Sequence, residues 1–271
     1  MYQAFLTNRN SLVFPVLCDG HLKIPYRDNI PNTATSSNTD DSTYGLWALN
    51  TSFTIEAIVT PYDCMGYSTS SVKTSTKTLP YSTDSGTESH TFLDDYYRGT
   101  YSMCIFYSDT AQLYLVNTSS TTTKPAEYKI QFVVTAGGGA STLNSSAVIT
   151  GVTGYNTLHE ALYLISPYHI AASFNATTGS MDIIVNNVII ASQVHSSKSS
   201  TNMSFDMANT DCYIGTNNDT TAIASTRKQF MGELHELCIT KGYKDSFSDI
   251  HTLVPAYENL LLYLRFEEVD E

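Results

Sequence analysis

The stretch Gly232-Glu233-Leu234-His235-Glu236-Leu237 brings two carboxylates and an imidazole close together in sequence, the side chains that general acid–base chemistry uses. Glycoside hydrolysis needs a carboxyl pair facing one substrate, one acting as acid and the other as nucleophile or base. Side chains alternate along a strand, so on a regular strand Glu233 and Glu236 point to opposite faces. That spacing breaks the pair. Serines are abundant, but none sits in G-x-S-x-G. The histidines (His21, His90, His159, His169, His195, His235 and His251) show no H-x-x-x-H zinc spacing. His169 falls in a predicted strand and reads as a hydrogen-bonded core or sheet residue. The chain is therefore expected not to be an enzyme.

Two acid pairs raise the question of calcium. Asp40 and Asp41 lie in a polar loop, and Asp94 and Asp95 precede Tyr96 and Tyr97. Calcium takes several oxygen ligands, carboxylates among them, so these acids are weak metal candidates; solvated loop acids are the other reading. No other cofactor is expected. Nineteen tyrosines stand against one tryptophan, Trp47. Tyrosine offers an apolar ring with a polar tip, suited to stacking on sugars and to protein interfaces. The segment from Asp95 to Tyr101 is the densest patch, which makes Tyr96, Tyr97, Tyr101 and Trp47 the contact candidates, unless these rings simply cap the core edge.

Composition bounds the partners. The 271 residues are 42% hydrophobic and only 15% charged, enough for a real core under a surface of Ser, Thr, Asn and Tyr. Net charge is −12 with no Lys/Arg cluster, which argues against nucleic acid, whose phosphates demand concentrated positive charge. No apolar run approaches the ~18 residues of a membrane span. The first twenty residues lack a basic region followed by an apolar one, so no secretory signal is expected. Cys18, Cys64, Cys104, Cys212 and Cys238 form no CxxC pair and are odd in number, which fits buried free thiols in a reducing cytosol. Asn-x-Ser/Thr sequons at Asn50, Asn117, Asn144, Asn175, Asn202 and Asn218 carry no weight without export.

The elements that would position these residues are short strands. Apolar–polar alternation, Val/Ile/Tyr/Phe enrichment and flanking turn residues predict strands at 12–17, 21–25, 53–60, 103–107, 112–116, 128–135, 147–150, 161–165, 169–174, 181–185, 188–191, 212–215, 230–240 and 260–266. With no interleaved helices, such a series implies an antiparallel sandwich or barrel. Asn186-Asn187 is expected to form a type I′ hairpin turn, since paired Asn tolerates positive φ. A short helix is expected at 245–250, where Asp and Ser offer caps, and a weaker one at 157–162. Gly137-Gly138-Gly139 reads as a flexible loop, with no GK[ST] to make it a phosphate loop. Residues 65–91 and 117–125, rich in Ser and Thr, read as surface excursions from one domain spanning 1–271.

Several segments in order carry a resemblance. Tyr168-His169-Ile170-Ala171-Ala172-Ser173-Phe174-Asn175 followed by Gly179 to Asn187 resembles the laminin-G pattern WHHVAxTYDG…G-x-x-x-x-Y-V-D-G. Phe230-Met231-Gly232-Glu233-Leu234-His235-Glu236-Leu237-Cys238-Ile239 resembles F-x-G-x-I-D-E-V-R-I, after Tyr213-Ile214-Gly215 for x-I-G. Upstream, Ser52 to Pro61 is similar to SFTIEAWVKP, and Asp19 to Pro25 to D-G-x-x-x-x-I-P. Pro167 stands where the family has Trp, Asn187 where it has Gly, and His235 where it has Asp. The resemblance, spanning about 12–266, is to laminin-G-like/concanavalin A-like domains. It implies an all-β, antiparallel two-sheet jelly-roll β-sandwich with long polar surface loops. Concanavalin A-like glucanases set their acids in the order E-x-D-x-E or E-x-D-x-x-E, and the middle Asp is missing here.

Such sandwiches are common on phage capsids and tail fibres. The expected function is accordingly a virion structural or adhesive protein, a capsid decoration or tail-fibre-associated component. It would be made in the host cytoplasm and contact other virion proteins, surface glycans, or both, within a larger assembly or homo-oligomer. A free-standing carbohydrate-binding, lectin-like module is the alternative; a glycoside hydrolase is disfavoured by the broken acid motif.

Overall fold

The computed structural model describes residues 12–14, 22–24, 51–61, 75–76, 89–90, 102–118, 127–150, 167–199, 203, 205, 211–217, 228–253 and 257–265. Their architecture is an antiparallel two-sheet β-sandwich, as the alternation patterns require.

The first sheet contains β1 (Leu12–Phe14), β3 (Phe53–Pro61), β10 (Tyr168–Phe174), β11 (Ser180–Val185), β12 (Val188–Val194), β14 (Gly232–Lys241) and β15 (Leu260–Arg265). Its order is β1-β14-β3-β10-β11-β12, with β15 also paired to β14. The second contains β2 (Leu22–Ile24), β6 (Ser102–Tyr107), β7 (Ala111–Asn117), β8 (Glu127–Ala136), β9 (Gly139–Thr150) and β13 (Cys212–Ile214), in the order β2-β13-β6-β7-β8-β9. A two-stranded ribbon, β4 (Ser75–Thr76) with β5 (Ser89–His90), lies within the Ser/Thr-rich 65–91 segment.

Alternation decides what lies between the sheets. Phe53, Ile55, Ala57 and Val59 of β3 face Phe132, Ile130 and Tyr128 of β8 and their neighbours in one continuous core. Phe53 is its centre, edge-on to Phe132 at 6.2 Å and tilted against Phe174 at 5.7 Å. Burying a side chain of this size contributes about 2–3 kcal/mol, so Phe53→Ala would open a cavity costing ~3–5 kcal/mol. At one edge His195 ties the sheets together. Its Nδ1 accepts from the Ser197 amide, so Nε2 carries the hydrogen and donates to the Val134 carbonyl at 2.9 Å.

The turns follow residue chemistry. Asn186 and Asn187 adopt φ of 48° and 64° between β11 and β12, the expected type I′ hairpin. The triple glycine departs from expectation. Gly137 and Gly138, at φ of 60° and 77°, form a tight two-residue turn, and Gly139 already pairs with Ala136. Free φ there serves hairpin closure, not flexibility.

The expected helix at 245–250 is absent; residues 242–253 form an irregular strap across the outer face of the first sheet. The strap's backbone groups are claimed by tertiary partners before a helix can use them. The Lys244 amide donates to Thr54 Oγ1, the Lys244 carbonyl accepts from Ser173 Oγ, and the Phe247 amide donates to Asn187 Oδ1. The predicted strand at 161–165 and helix at 157–162 lie outside the described residues, as do 119–125 of the second polar excursion. No helix among the described residues is long and apolar enough to cross a membrane.

Candidate functional site

The contact candidates Trp47, Tyr96, Tyr97 and Tyr101 and the acids Asp40, Asp41, Asp94 and Asp95 lie outside the described residues. Chemistry on the described part of the molecule is therefore divided between the two outer faces of the sandwich.

On the first sheet, β14 carries the suspected acids. Glu233 pairs with Thr60 and Glu236 with Ile58, because a bulge at His235 inserts one extra residue into β14. Thr60 and Ile58 are two apart on β3, so both acids share the outer face. This corrects the expectation of opposite faces: alternation holds only for a regular ladder, and the bulge resets it. Gly232 makes the entry to this strand possible. Its φ is +152°, and a Cβ there would lie 2.4 Å from the Thr60 carbonyl oxygen.

The shared face is nevertheless occupied by the chain itself. Glu236 Oε2 accepts the Leu253 amide at 2.8 Å and the Tyr263 hydroxyl at 3.3 Å, while Arg265 Nε lies 4.0 Å from Oε1. Glu56 Oε1 accepts from Lys244 Nζ at 2.6 Å. Asp182 accepts from the Ser192 and Tyr243 hydroxyls. His235 Nε2 bonds Thr60 Oγ1 at 3.0 Å and lies 3.6 Å from Glu233 Oε2.

His169 is wholly buried here, with Nε2 3.6 Å from Glu56 Oε2 and the Phe247 ring packed edge-on at 4.8 Å. Its ring nitrogens make no hydrogen bond; its backbone does, the amide donating to Asn186 Oδ1 and the carbonyl accepting from the Asn186 amide at 2.9 Å. The strap lays Phe247 against the ring of this buried sheet residue. Burial, and next the charge of Glu56, push the Cys238 thiol up to about 12. Burial together with the Asp182 hydrogen bond raises the Tyr243 hydroxyl. Among the described residues no group of His, Cys, Asp and Glu is placed to hold a metal ion.

The outer face of the second sheet is composed differently. Register aligns Lys23, Tyr213, Tyr107, Gln112, Val133 and Thr142 in one row across six strands. A second row runs Cys104, Tyr114, Gln131 and Asn144. Tyr107, Gln112, Gln131, Val133 and Tyr213 are half-buried, and Asn144 and Thr142 are exposed. The Tyr107 and Tyr213 rings meet edge to face at 6.3 Å. Lys23 Nζ sits 2.5 Å from Asp211 Oδ2 and 5.9 Å from the Tyr213 ring centre. Asp211 in turn raises the Lys23 ammonium above its ordinary range.

Behind this pair, Lys228 Nζ stacks 4.2 Å from the Tyr114 ring, and the Tyr114 hydroxyl donates to Gln112 Oε1 at 2.8 Å. Gln131 Nε2 donates to Asn144 Oδ1 at 3.0 Å, which orients both amides. Burial pushes the Tyr107 hydroxyl up to about 12, with Asp109 adding to the shift, so it stays a neutral donor at 3.4 Å from Asp109 Oδ1. Paired rings with oriented amides and an ion pair can stack on an apolar ring face and hydrogen-bond the hydroxyls around it.

Local tyrosine density along the sequence does not point to these residues. The usable signal was register: Gln112 and Tyr114 alternate with Leu113 and Leu115 on a predicted strand, and Tyr107 ends the strand before it.

No protein-family model matches the chain, and no curated protein matches it. Among solved structures it is similar to a candidate carbohydrate-binding protein from Bacteroides ovatus, at 16% identity and TM-score 0.44, over 79% of this chain and 45% of that one. It is also similar to the heptameric SAP-like pentraxin of Limulus polyphemus, at 10% identity and TM-score 0.39, over 72% of this chain and 67% of that one. A third is tailspike protein 2 of the Escherichia coli O157:H7 bacteriophage CAB120, at 13% identity and TM-score 0.39, over 78% of this chain and 23% of that one. The chain thus spans less than half the length of the Bacteroides protein and about a quarter of the tailspike. Likeness this distant says nothing of what the chain binds.

Proposed function

We propose that this chain is a non-catalytic recognition module that presents the outer face of its second sheet to a glycan. The observation that carries the reading is the row of exposed Lys23 with half-buried Tyr213, Tyr107 and Gln112, backed by the oriented Gln131–Asn144 amide pair. A pyranose sets C–H bonds against an aromatic ring and hydroxyls toward amides, which matches this composition. The carboxylates of the other outer face are engaged instead with the strap, β14 and β15, an arrangement suited to holding the chain together.

The proposed setting is a virion, as a capsid decoration or tail-fibre-associated component. Cys104, Cys212 and Cys238 are buried and unbridged, in keeping with synthesis in a reducing host cytoplasm. An array of glycans, read with the native chain and with Tyr107→Ala/Tyr213→Ala, tests the recognition. Binding that drops at least ~10-fold in the variant supports it, since losing a stacking ring costs ~1–2 kcal/mol of affinity. Binding that survives both substitutions moves the site elsewhere. Co-sedimentation with particles from the source lysate tests the setting; a chain that stays free is a stand-alone lectin-like module.

A further inference from the structure

Two cations on the outer face of the second sheet, Lys228 and Lys129, form no salt bridge among the described residues. Lys228 is half-buried, and its Nζ lies 4.2 Å from the centre of the Tyr114 ring. Its backbone holds it there. The Lys228 amide donates to Asn217 Oδ1 at 3.0 Å, and its carbonyl accepts from the Cys104 amide at 3.0 Å. Lys129 reaches the same face by alternation, since Tyr128 and Ile130 on either side of it enter the core. Register sets Gln131 opposite Tyr114 and Lys129 opposite Val116. Lys129 is therefore a diagonal neighbour of Tyr114, about 7–8 Å away and within reach of a lysine side chain.

The amides around Tyr114 add donors to these cations. Gln112 Oε1 is taken by the Tyr114 hydroxyl, so Gln112 offers the N–H groups of Nε2. Asn144 Oδ1 is taken by Gln131 Nε2, so Asn144 offers the N–H groups of Nδ2; Gln131 alone of these amides keeps its oxygen untaken. Carboxylates stand at the margins of the face: Asp211 against Lys23, Asp109 beside the Tyr107 hydroxyl, and Glu127 where β8 begins. The middle of the face thus gathers ammonium and N–H donors in a chain whose net charge is −12.

We propose that the glycan held by this face carries an anionic substituent, a carboxylate or a sulfate, and that Lys228, seconded by Lys129, selects it. This rests on the recognition reading above and names the class of ligand. An ionised carboxylate or sulfate only accepts hydrogen bonds, which suits a surface of ammonium and N–H donors, whereas sugar hydroxyls also need acceptors. The overall charge of the chain does not forbid it. Acids farther off than the Debye length, about 8 Å at physiological salt, are largely screened, while a half-buried lysine in contact is screened much less.

A glycan array of matched pairs that differ by a single carboxylate or sulfate, such as glucuronic acid against glucose in the same linkage, tests the proposal on the full chain. The native chain should prefer the acidic member at least ~10-fold at low salt, and the preference should shrink several-fold at ~0.5 M salt. Lys228→Gln should cut the ratio of acidic to neutral binding at least ~10-fold, and Lys228→Arg, which keeps the charge, should restore most of it. Should Lys228→Gln misfold by circular dichroism, Lys129→Gln, expected to lower the ratio ~2–3-fold, and the salt series on the native chain carry the test. A preference confined to carboxylate pairs or to sulfate pairs supports the proposal and names the substituent. Equal binding of both members, lost together in Tyr107→Ala/Tyr213→Ala, would overturn the charge selection while the glycan reading stands. An acidic preference that neither lysine substitution reduces would remove the assignment to these residues. Binding to no member of any pair would sink both readings.

Discussion

The two outer faces of this sandwich are built from the same alternating strand positions yet come to opposite ends. On the first sheet those positions hold Thr54, Glu56, His169, Asp182 and Glu236, all buried. On the second they hold Lys23, Tyr107, Gln112, Gln131 and Tyr213, all at least partly open to solvent. What separates them is the strap at 242–253, which follows β14 and folds back over the first sheet. A buried carboxylate needs its partners supplied by the protein, and the strap delivers the Lys244 ammonium, the Tyr243 hydroxyl and the Leu253 amide to three of them. Polar groups on the second sheet pair with one another across the face, as in Lys23 with Asp211 and Gln131 with Asn144, and keep a side open to solvent. The comparison teaches that polarity on a sheet face does not identify a site until its cover is known.

The sharpest way to break this contrast is to remove a cation from each face. Lys244→Ala strips Glu56 of a partner at 2.6 Å while the carboxylate stays buried, and should destabilise the fold by about 3 kcal/mol in urea denaturation. Lys23→Ala, which removes an exposed pair on the other face, should leave the midpoint where it was. Equal losses would mean that the faces do not differ in the way described.

Alkaline pH sharpens it next. Burial holds the Cys212 and Cys238 thiols near 12, against 9.0 when unfolded. Between these values the unfolded chain has released protons that the native chain keeps, so stability present below pH 9.0 should fall as pH rises toward 12. Cys238→Ala should flatten the part of that fall arising on the covered face. Thiol titration with a chromogenic disulfide at pH 8 should find these sulfurs silent in the native chain and reactive in urea.

The smallest effect belongs to one strap anchor. Asn187→Gly keeps the positive φ of 64° easily but loses the acceptor for the Phe247 amide at 2.8 Å. A loss of about 1 kcal/mol is expected, with faster hydrogen exchange confined to the strap. Exchange that rises equally on Gln112 and Gln131 would show that the strap holds up both sheets.

Most of the strands were legible in the sequence because alternation at 53–60, 128–135 and 169–174 is a local pattern with a single structural solution. The Asn186-Asn187 turn was legible for the same reason, since few residues accept positive φ twice in succession. Two expectations failed where local rules met distant partners. Helix caps at 245–250 were outbid by Thr54, Ser173 and Asn187, residues far away in sequence. The opposed facing of Glu233 and Glu236 was undone by the bulge at His235, which exists only in the pairing of β14 with β3.

The sequence by itself determined an all-β chain and an antiparallel sandwich, because residue-to-residue alternation encodes which side of a strand is apolar. Tertiary structure alone decided which polar face is closed and which is open. Alternation fixes where a side chain points, whereas cover depends on a segment many residues away folding back across it.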